Sequence, residues 1–514
     1  MGIGISRGRF LRALGAGAFL TLTRGCAPSG HDPDLRALRT PKASPLRASK
    51  VWPLPGVSPV QPKGVWAFRS RPDLAPAAAE ITGEVSGTAS GTASGYVFLA
   101  LKEGVGEHGP MILDDRGQLV WFEKYTTARD FRMQEYRGEP VLTWWEGAVV
   151  AGHGVGEYVI FDDSYREISR VRAGNGFDGD LHEFLITPQD TALLTAYAAV
   201  PADLSPAGGS EYGTAWDGIV QELDIETGEI LFEWRSLDHV EVGESYVQPP
   251  DDPAVVYDYF HVNSIDVDHD DNLIVSARNT SAVYKIDRKT GEILWRLGGK
   301  ESDLEMGEGT RTFWQHDARR QPDGTITIFD NGAHPQVHPQ SRGIVVDLDE
   351  GSMEASLVRA YTHPDGLVST SQGNMQVLPD GNVFIGWGSE PVVSEFSREG
   401  ELLMSAGFPP ECESYRAFRF PWKGRPTDAP ALVVGRRSSD RVTLHASWNG
   451  ATEVAAWEVL SGPRPNRLEP LGAVPRDGFE TAMLAQTEDP YLAVRARDGS
   501  GEILGTSAPR ARSG

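Results

Sequence analysis

The chain has 514 residues, of which 72 are acidic and 48 are basic, and its formal net charge is -24. This balance excludes nucleic acid as a partner, since the chain carries no basic patch that would attract a polyanion. A single core stops growing at about 250 to 300 residues, so the length predicts one large repeat domain with a smaller appendage. The 57 glycines and 35 prolines lie between short runs of Val, Ile, Leu, Tyr and Trp. This composition predicts an all-β fold of many strands and turns.

Residues 1–26 have the pattern of an export signal. Three arginines precede an apolar stretch, residues 13–22, that is too short to span a bilayer. SRGRFLR resembles a twin-arginine signal, and LTRGC resembles a lipoprotein cleavage box that would place a lipid on Cys26 and anchor the protein at a membrane. An ordinary secretory signal with an incidental Cys26 is the alternative. Either way we expect an exported, extracytoplasmic protein.

Residues 27–65 are rich in Pro, Ser and Ala, and we predict that they form a tether. Over residues 66–426 a unit of four short strands then recurs. The hairpin of its third and fourth strands has six recognisable copies, which start at Gly109, Gly156, Gly218, Ser281, Arg342 and Pro391. Only five first hairpins are found, near Phe131, His182, His261, His316 and Gln372.

One strand, around Tyr415 to Phe420, is left over at the end of the repeats. A closed ring explains it, because this strand would complete the unit that begins at Tyr96. We therefore predict a six-bladed β-propeller in which the N- and C-terminal segments share one blade. An open stack or two sandwiches would give the leftover strand no partner.

Residues 427–514 follow a different pattern of alternating apolar and polar positions, which predicts a small antiparallel β-sandwich. Trp448 and Trp457 are its expected core aromatics. This segment resembles a fibronectin type III domain and carries no constellation of reactive residues.

Three stretches of the repeat align without a gap and bring polar residues to one position. They are LHEFLITPQDTAL from Leu181, HVNSIDVDHDDNL from His261 and QHDARRQPDGTIT from Gln315. The shared position holds His182, Asn263 and His316, at the start of the innermost strand of each blade. His261 lies two residues before Asn263 and is expected on the same side of the strand. Arg278 ends the next strand, so the set predicts a site that handles an anion.

Two segments carry a resemblance to a known family. DYFHVNSIDVDHDDNLIVSARNTSAVYKIDRKTGEILWRLGGK (258–300) and FWQHDARRQPDGTITIFDNG (313–332) resemble the bacterial arylsulfate sulfotransferases. The resemblance implies a six-bladed propeller that moves a sulfuryl group from a phenolic sulfate ester to a phenol. It implies a ping-pong mechanism through a sulfohistidine, with small aryl sulfates and phenols as partners, no cofactor and no nucleotide donor. The C-terminal sandwich and the N-terminal tether depart from the family pattern and indicate a divergent branch.

The same resemblance assigns roles residue by residue. His316 matches the nucleophile, while His261 and Asn263 match sulfate-binding and acid/base groups. Arg278 matches the arginine that holds the sulfate, and His182 matches a further active-site histidine. The chain itself gives no indication of an oligomeric state.

Two functions from other classes remain open. His182, His261 and His316 could be the ligands of a metal-dependent hydrolase or lyase, although Arg278 would lie unfavourably close to the metal. Alternatively, the chain is an exported propeller that only binds.

For three residues near these motifs, a structural role is considered beside or instead of a catalytic one. Trp314 could flank an aromatic substrate or pack in the core, and Asn331 is expected to shape a turn. His153 is expected to be a surface or loop residue.

Overall fold

The computed structural model describes residues 50–54, 60–61, 64–83, 94–252, 254–436 and 438–512. The predicted export signal, with Cys26, and most of the predicted tether lie outside these residues. The regular secondary structure of the described residues consists of β-strands apart from three short 3-10 helices, which confirms the all-β fold class. None of them belongs to a helix with the length and apolar character needed to cross a membrane.

The strands are numbered in chain order. Strands β1 to β15 are Val51–Pro53, Val60–Gln61, Val65–Trp66, Glu80–Gly83, Tyr96–Leu101, Gly109–Leu113, Leu119–Phe122, Arg129–Tyr136, Glu139–Val150, His153–Phe161, Glu167–Val171, Gly179–Ile186, Thr191–Ala202, Gly213–Asp224 and Ile230–Arg235. Strands β16 to β29 are Val262–Val267, Leu273–Ala277, Ala282–Ile286, Ile293–Gly298, Glu305–Met306, His316–Arg320, Ile326–Asp330, Arg342–Asp349, Glu354–Tyr361, Asn374–Val377, Val383–Gly386, Val392–Phe396, Leu402–Gly407 and Ser414–Phe420. Strands β30 to β37 are Ala431–Arg436, Arg441–Ser447, Ala456–Arg464, Arg467–Pro475, Glu480–Gln486, Tyr491–Arg497, Ile503–Thr506 and Arg510–Ala511. Short 3-10 helices occupy Ser205–Ala207, Ser236–Asp238 and Val242–Glu244.

All six predicted hairpins are present as antiparallel pairs. They are β6–β7, β10–β11, β14–β15, β18–β19, β23–β24 and β27–β28. The turn chemistry explains why they form. Between β14 and β15, Asp224 Oδ1 accepts the N–H of Thr227 at 2.7 Å and Gly228 has φ of 72°, a conformation that glycine adopts without a steric penalty.

The strands of the repeat assemble into successive antiparallel sheets. Strands β16 to β19 form one, β21 to β24 form another with β20 added, and β25 to β28 form a third with β4 added. Strands β8 to β15 form a larger sheet in which two four-stranded runs are joined by the pairing of Gly156 with Gly179. Strand β29 pairs with β5 and shares a sheet with β6 and β7, so the strand left over in the sequence lies beside the first unit.

The first strand of each run contacts the first strand of the next. Strand β8 contacts β12, β12 contacts β16, β16 contacts β21, β21 contacts β25, β25 contacts β29, and β29 contacts β8. The beginnings of these strands carry the aligned histidines, so the contacts bring them towards a common region.

The C-terminal residues form two further sheets, with strand orders β1-β34-β31-β30 and β33-β32-β35-β36. Trp448 and Trp457 lie in the core between them, as predicted. Strand β1 comes from the segment predicted as a tether, and this part of the prediction is corrected. Val51 is only 3% exposed and pairs with Ala485, because burying its side chain in the sheet is more favourable than leaving it in solvent.

Candidate active site

A cavity of about 330 Å³ lies where the first strands begin, and four of the five predicted site residues line it. These four are His182, His261, Arg278 and His316. Tyr415, Gln372, Lys102 and Arg129 contribute to the same wall. Imidazole and cationic groups are therefore concentrated in this cavity, and Glu103 is a carboxylate in its lining.

His316 is the first residue of β21 and is 2% exposed. Its Nδ1 lies 2.7 Å from Asn331 Oδ1 and 3.1 Å from the carbonyl oxygen of Trp314. Both partners are acceptors, so Nδ1 carries the hydrogen and Nε2 presents a lone pair. The backbone N–H of Gln372 points at Nε2 from 3.3 Å.

Burial lowers the pKa of His316 well below its usual value, and the nearby Arg278 lowers it further. The ring is therefore neutral near pH 7, the state in which imidazole is a nucleophile. The amide of Asn331 is fixed in turn, because its Nδ2 donates to the carbonyls of Ser369 and Gln372 at 3.1 and 3.0 Å. The sequence suggested that Asn331 shapes a turn, whereas the structure shows that it orients the His316 ring.

His261 immediately precedes β16 and adopts a φ of +56°. Its Nδ1 lies 2.5 Å from Asp258 Oδ2, and its ring centre is 4.8 Å from that of His182. Burial lowers the pKa of His261, while Asp258 acts in the opposite direction. This carboxylate fixes the ring and leaves Nε2 for a substrate.

His182 also has a carboxylate partner. Its Nδ1 lies 2.6 Å from Asp180 Oδ2, and the two residues are two apart on β12, so their side chains project to the same side. Burial would raise the pKa of Asp180, but the neighbouring His182 brings it to about 2. The hydroxyl of Thr195 and the N–H of Gly154 also donate to this carboxylate, at 3.0 and 2.5 Å.

Arg278 directly follows β17, with its guanidinium 5.2 Å from the centre of the Trp314 ring. It donates to Asn279 Oδ1 at 2.9 Å and to the carbonyl of Thr370 at 3.4 Å. Among the residues that the structure describes, no carboxylate forms a salt bridge with Arg278. A partly buried guanidinium group without a salt bridge can bind an anionic ligand.

Trp314 is 4% exposed, and its Nε1 donates to the carbonyl of Pro335 at 3.1 Å. Of the two roles that the sequence left open for it, the structure shows core packing, with the ring also supporting Arg278.

Asn263 is the predicted site residue that does not line the cavity. It is fully buried, and its Nδ2 donates to the carbonyl of Gln315 at 2.7 Å. The alternation of side chains that would place it beside His261 holds only for regular strand, and the left-handed backbone of His261 interrupts it. Contact between Asn263 and a substrate stays a prediction of the resemblance.

The sequence interpretation missed His153. It was expected at the surface, yet it is 2% exposed and its ring centre lies 5.2 Å from that of His261. His153 begins β10, so it lies outside the repeat position that singled out the other histidines.

Asp180 and Asp258 were missed as well, although a signal for them exists in the chain. Each precedes its histidine by two or three residues, in DLH and DYFH. A carboxylate at such a spacing can reach Nδ1 of the histidine that follows it.

The three histidines proposed as metal ligands from the sequence do not converge as a metal site. Within the described part of the chain, the group that could hold a metal is instead His153, Asp258 and His261. Nδ1 of His182 is hydrogen-bonded to Asp180, and Nδ1 of His316 is hydrogen-bonded to Asn331. Neither Nδ1 atom is therefore free to bind a metal.

Comparison with protein families identifies the class of protein. Residues 132–409 match the family model described as arylsulfotransferase (ASST), which covers more than half of the chain. The chain therefore belongs to the arylsulfotransferase family, as the sequence motifs indicated. No curated protein matches the chain in sequence.

Several solved structures align with the chain at low identity. A protein of unknown function from Bacteroides caccae is 12% identical and aligns over 64% of this chain and 99% of its own, with a TM-score of 0.39. Regucalcin, a calcium-binding protein from Agrobacterium tumefaciens, is 12% identical over 76% of this chain and 95% of its own, with a TM-score of 0.31. Streptogramin B lyase is 8% identical over 76% of this chain and 98% of its own, with a TM-score of 0.30. At these scores the likenesses indicate nothing about the chemistry of this chain.

Proposed function

We propose that the protein is an aryl sulfotransferase that carries a sulfuryl group on His316 between a phenolic sulfate ester and a phenol. The observation that carries this proposal is the contrast among the three cavity histidines. His182 and His261 each have a carboxylate partner, whereas His316 has the neutral amide of Asn331. His182 and His316, which are equivalent in the repeat, thereby differ in their hydrogen-bond partners.

In the first half of the reaction, Arg278 holds the sulfuryl oxygens and Nε2 of His316 attacks the sulfur. The N–S bond forms as the ester S–O bond breaks, and the electron pair leaves with the phenolate. The sulfated ring is then formally an imidazolium with its remaining hydrogen on Nδ1. The N–H of Gln372, now 3.3 Å from Nε2, is close enough to donate to a sulfuryl oxygen instead.

The amide partner of His316 suits the second half of the reaction. A carboxylate would stabilise the positive ring or take its proton, and either effect would make the ring a poorer leaving group. Asn331 Oδ1 accepts the Nδ1 hydrogen without neutralising the charge, so the sulfuryl group stays reactive.

In that second half, Nε2 of His261 takes the proton of the acceptor phenol while Asp258 stabilises the resulting imidazolium. The phenolate oxygen attacks the sulfur, the N–S bond breaks, and its electron pair returns to His316. The proton on His261 passes to the departing phenolate of the next turnover, so protons balance over the cycle. His182, held by Asp180, assists in binding the sulfuryl oxygens.

For the architecture, we propose a closed six-bladed propeller over residues 66–426 and a fibronectin-III-like sandwich over 427–514. The serial contacts of β8, β12, β16, β21, β25 and β29 support the ring, as does the pairing of β29 with β5. Small-angle scattering of the purified protein tests this, since an open stack would be markedly longer than a ring with one appendage.

We also propose that the protein is exported, because residues 1–26 have the pattern of a signal. Cell fractionation locates the protein, and mass analysis of its N-terminus distinguishes a lipid on Cys26 from a simple secretory cleavage. Retention of full-length protein in the cytoplasm would contradict this proposal.

The enzymatic proposal is tested by steady-state kinetics with an aromatic sulfate ester and a phenol, each varied in turn. A ping-pong mechanism gives parallel lines in double-reciprocal plots and allows a labelled phenol to exchange into its own sulfate ester. Intersecting lines would contradict the sulfohistidine route. An absence of turnover across a panel of donors would contradict transferase activity altogether.

A further inference from the structure

We propose that His153, Asp258 and His261 bind one divalent transition-metal ion of the zinc class at the edge of the cavity. Their three ligand atoms lie within 4.8 Å of one another. Two imidazoles and one carboxylate are ligand types that Zn²⁺, Co²⁺ and Ni²⁺ accept, and a water or substrate atom would complete the coordination. The site differs from the histidine trio that the sequence suggested.

His153 supplies an observation that is independent of the cluster. Its side chain is 3% exposed, and neither of its ring nitrogens has a hydrogen-bond partner. A buried polar group without a partner is costly and is rare in folded proteins. Nε2 of His153 instead faces Asp258 Oδ2 from 3.6 Å, and Asp258 Oδ1 also lacks a hydrogen-bond partner. One metal ion between these groups would satisfy His153 Nε2 and engage the carboxylate.

The surrounding residues hold the ligands in place. The His153 ring packs against Tyr197 and Trp216, with ring centres 4.0 and 5.1 Å away. The carbonyl of Asp258 accepts a hydrogen bond from Asn279 Nδ2 at 2.6 Å. Because aromatic packing and backbone bonds fix both residues, little reorganisation is needed beyond the Asp258 carboxylate itself.

Metal binding would change the hydrogen-bonding role of His261, a consequence that rests on the proposed function. At present Nδ1 faces Asp258 and carries the hydrogen, so Nε2 is an acceptor. With the metal on Nδ1, the hydrogen of the neutral ring moves to Nε2, which becomes a donor. His261 could still hold a sulfuryl oxygen, but it could not take the proton of the acceptor phenol. Transfer to the phenol would therefore slow, because His261 could no longer act as its general base.

The test begins with purified full-length protein stripped by a chelator and then titrated with ZnCl₂ and CoCl₂. Calorimetry measures stoichiometry and affinity, and the visible spectrum of Co²⁺ reports its coordination. We expect one equivalent to bind, with a Co²⁺ spectrum typical of nitrogen and oxygen ligands. Removing an outer-shell partner typically costs about 10–100-fold in metal affinity, and His153→Gln removes a direct ligand, so we expect at least that loss.

Asp258→Asn is the second variant, because it keeps the shape of the side chain while weakening coordination. The matched control is His182→Gln, a cavity histidine outside the proposed ligand set, which should bind the metal as the wild type does. Binding that is absent from the wild type, or unaffected by both His153→Gln and Asp258→Asn, would overturn the proposal. Loss of binding in His182→Gln alone would also overturn it. A sulfuryl adduct on His316 is measured separately, so failure of the metal site is distinguishable from failure of the sulfotransferase proposal.

Discussion

Two groups of buried side chains come from neighbouring positions on the same strands, yet their charges are balanced differently. One group is the histidine cavity described above. The other, here called the ion cluster, consists of Asp130, Arg132, Glu183, Asp317, Arg319 and Arg416. His182 is followed by Glu183, His316 by Asp317, and Tyr415 by Arg416. Neighbouring side chains of one strand can point to opposite sides, so β12, β21 and β29 each contribute residues to both groups.

The ion cluster is internally compensated. Its three carboxylates face three guanidinium groups, and Glu183 contacts all three arginines. Burial would raise the pKa of Glu183, but Arg319 and Arg416 hold it well below its usual value. In the cavity, by contrast, none of the carboxylates that the structure describes forms a salt bridge with Arg278, and the ring nitrogens of His153 have no hydrogen-bond partner there. Buried charges that are paired in this way link strands to one another. Buried polar groups without a partner are instead candidates for ligand binding.

Breaking the ion cluster should have the largest effect on stability. In Glu183→Gln, three arginines face only two carboxylates, and leaving a buried charge uncompensated costs about 3–5 kcal/mol. We expect the midpoint of urea unfolding to fall accordingly, while the folded fraction keeps most of its transfer rate. The surface pair of Arg137 and Glu226 provides the control, because Glu226→Gln should leave the midpoint nearly unchanged. If Glu183→Gln kept the wild-type unfolding midpoint but transferred no sulfuryl group, the ion cluster would serve catalysis and not stability, contrary to this prediction.

Changing Arg278 should affect activity rather than stability. Removing one donor to a developing charge typically costs about 10²- to 10³-fold in rate. Arg278→Lys keeps the positive charge but loses the planar guanidinium group and much of its stacking on Trp314. We expect kcat/KM for an aryl sulfate to fall by a factor approaching this range, while the midpoint of urea unfolding stays unchanged. An unaltered kcat/KM would show that the anion binds elsewhere.

Replacing the partner of His316 should separate the two halves of the reaction. In Asn331→Asp the carboxylate stabilises the sulfated imidazolium, so the adduct should form readily but react slowly with phenol. Rapid-quench measurement of each half gives the two rates. If both halves slow equally, Asn331 acts only by orienting the ring, and Asn331→Ser, which lacks the carboxylate charge, should then behave similarly.

The pH dependence of loading should be the smallest effect. Because the pKa of His316 lies well below its usual value, the ring stays neutral as the pH falls through 6.5. The rate of His316 loading, measured in a single turnover, should therefore be nearly constant from pH 7.5 to about pH 6. An ordinary imidazole would already be half protonated near pH 6.5. A loss of half the rate near pH 6.5 would indicate a solvent-like environment for the nucleophile.

The sequence predicted the hairpins well because their turn residues and alternation are local signals. It also predicted His182 and His316 from their shared repeat position, and His261 and Arg278 from neighbouring positions. All four line the cavity, and their roles stay predictions. The position of Asn263 was not predictable, because it depends on the left-handed backbone of His261. The burial of His153 depends on packing against Tyr197 and Trp216 from other strands, which no local pattern records.

In the proposed mechanism, His316 carries the sulfuryl group because its partner is an amide and not a carboxylate. The most direct measurement is intact mass analysis of the protein after incubation with an aryl sulfate in the absence of a phenol, followed by peptide mapping. We predict one sulfuryl group per chain, located on His316, absent from His316→Ala and present in His269→Ala, which alters an exposed turn of the same repeat. An adduct located on His182 or His261, or an adduct that persists in His316→Ala, would contradict the account.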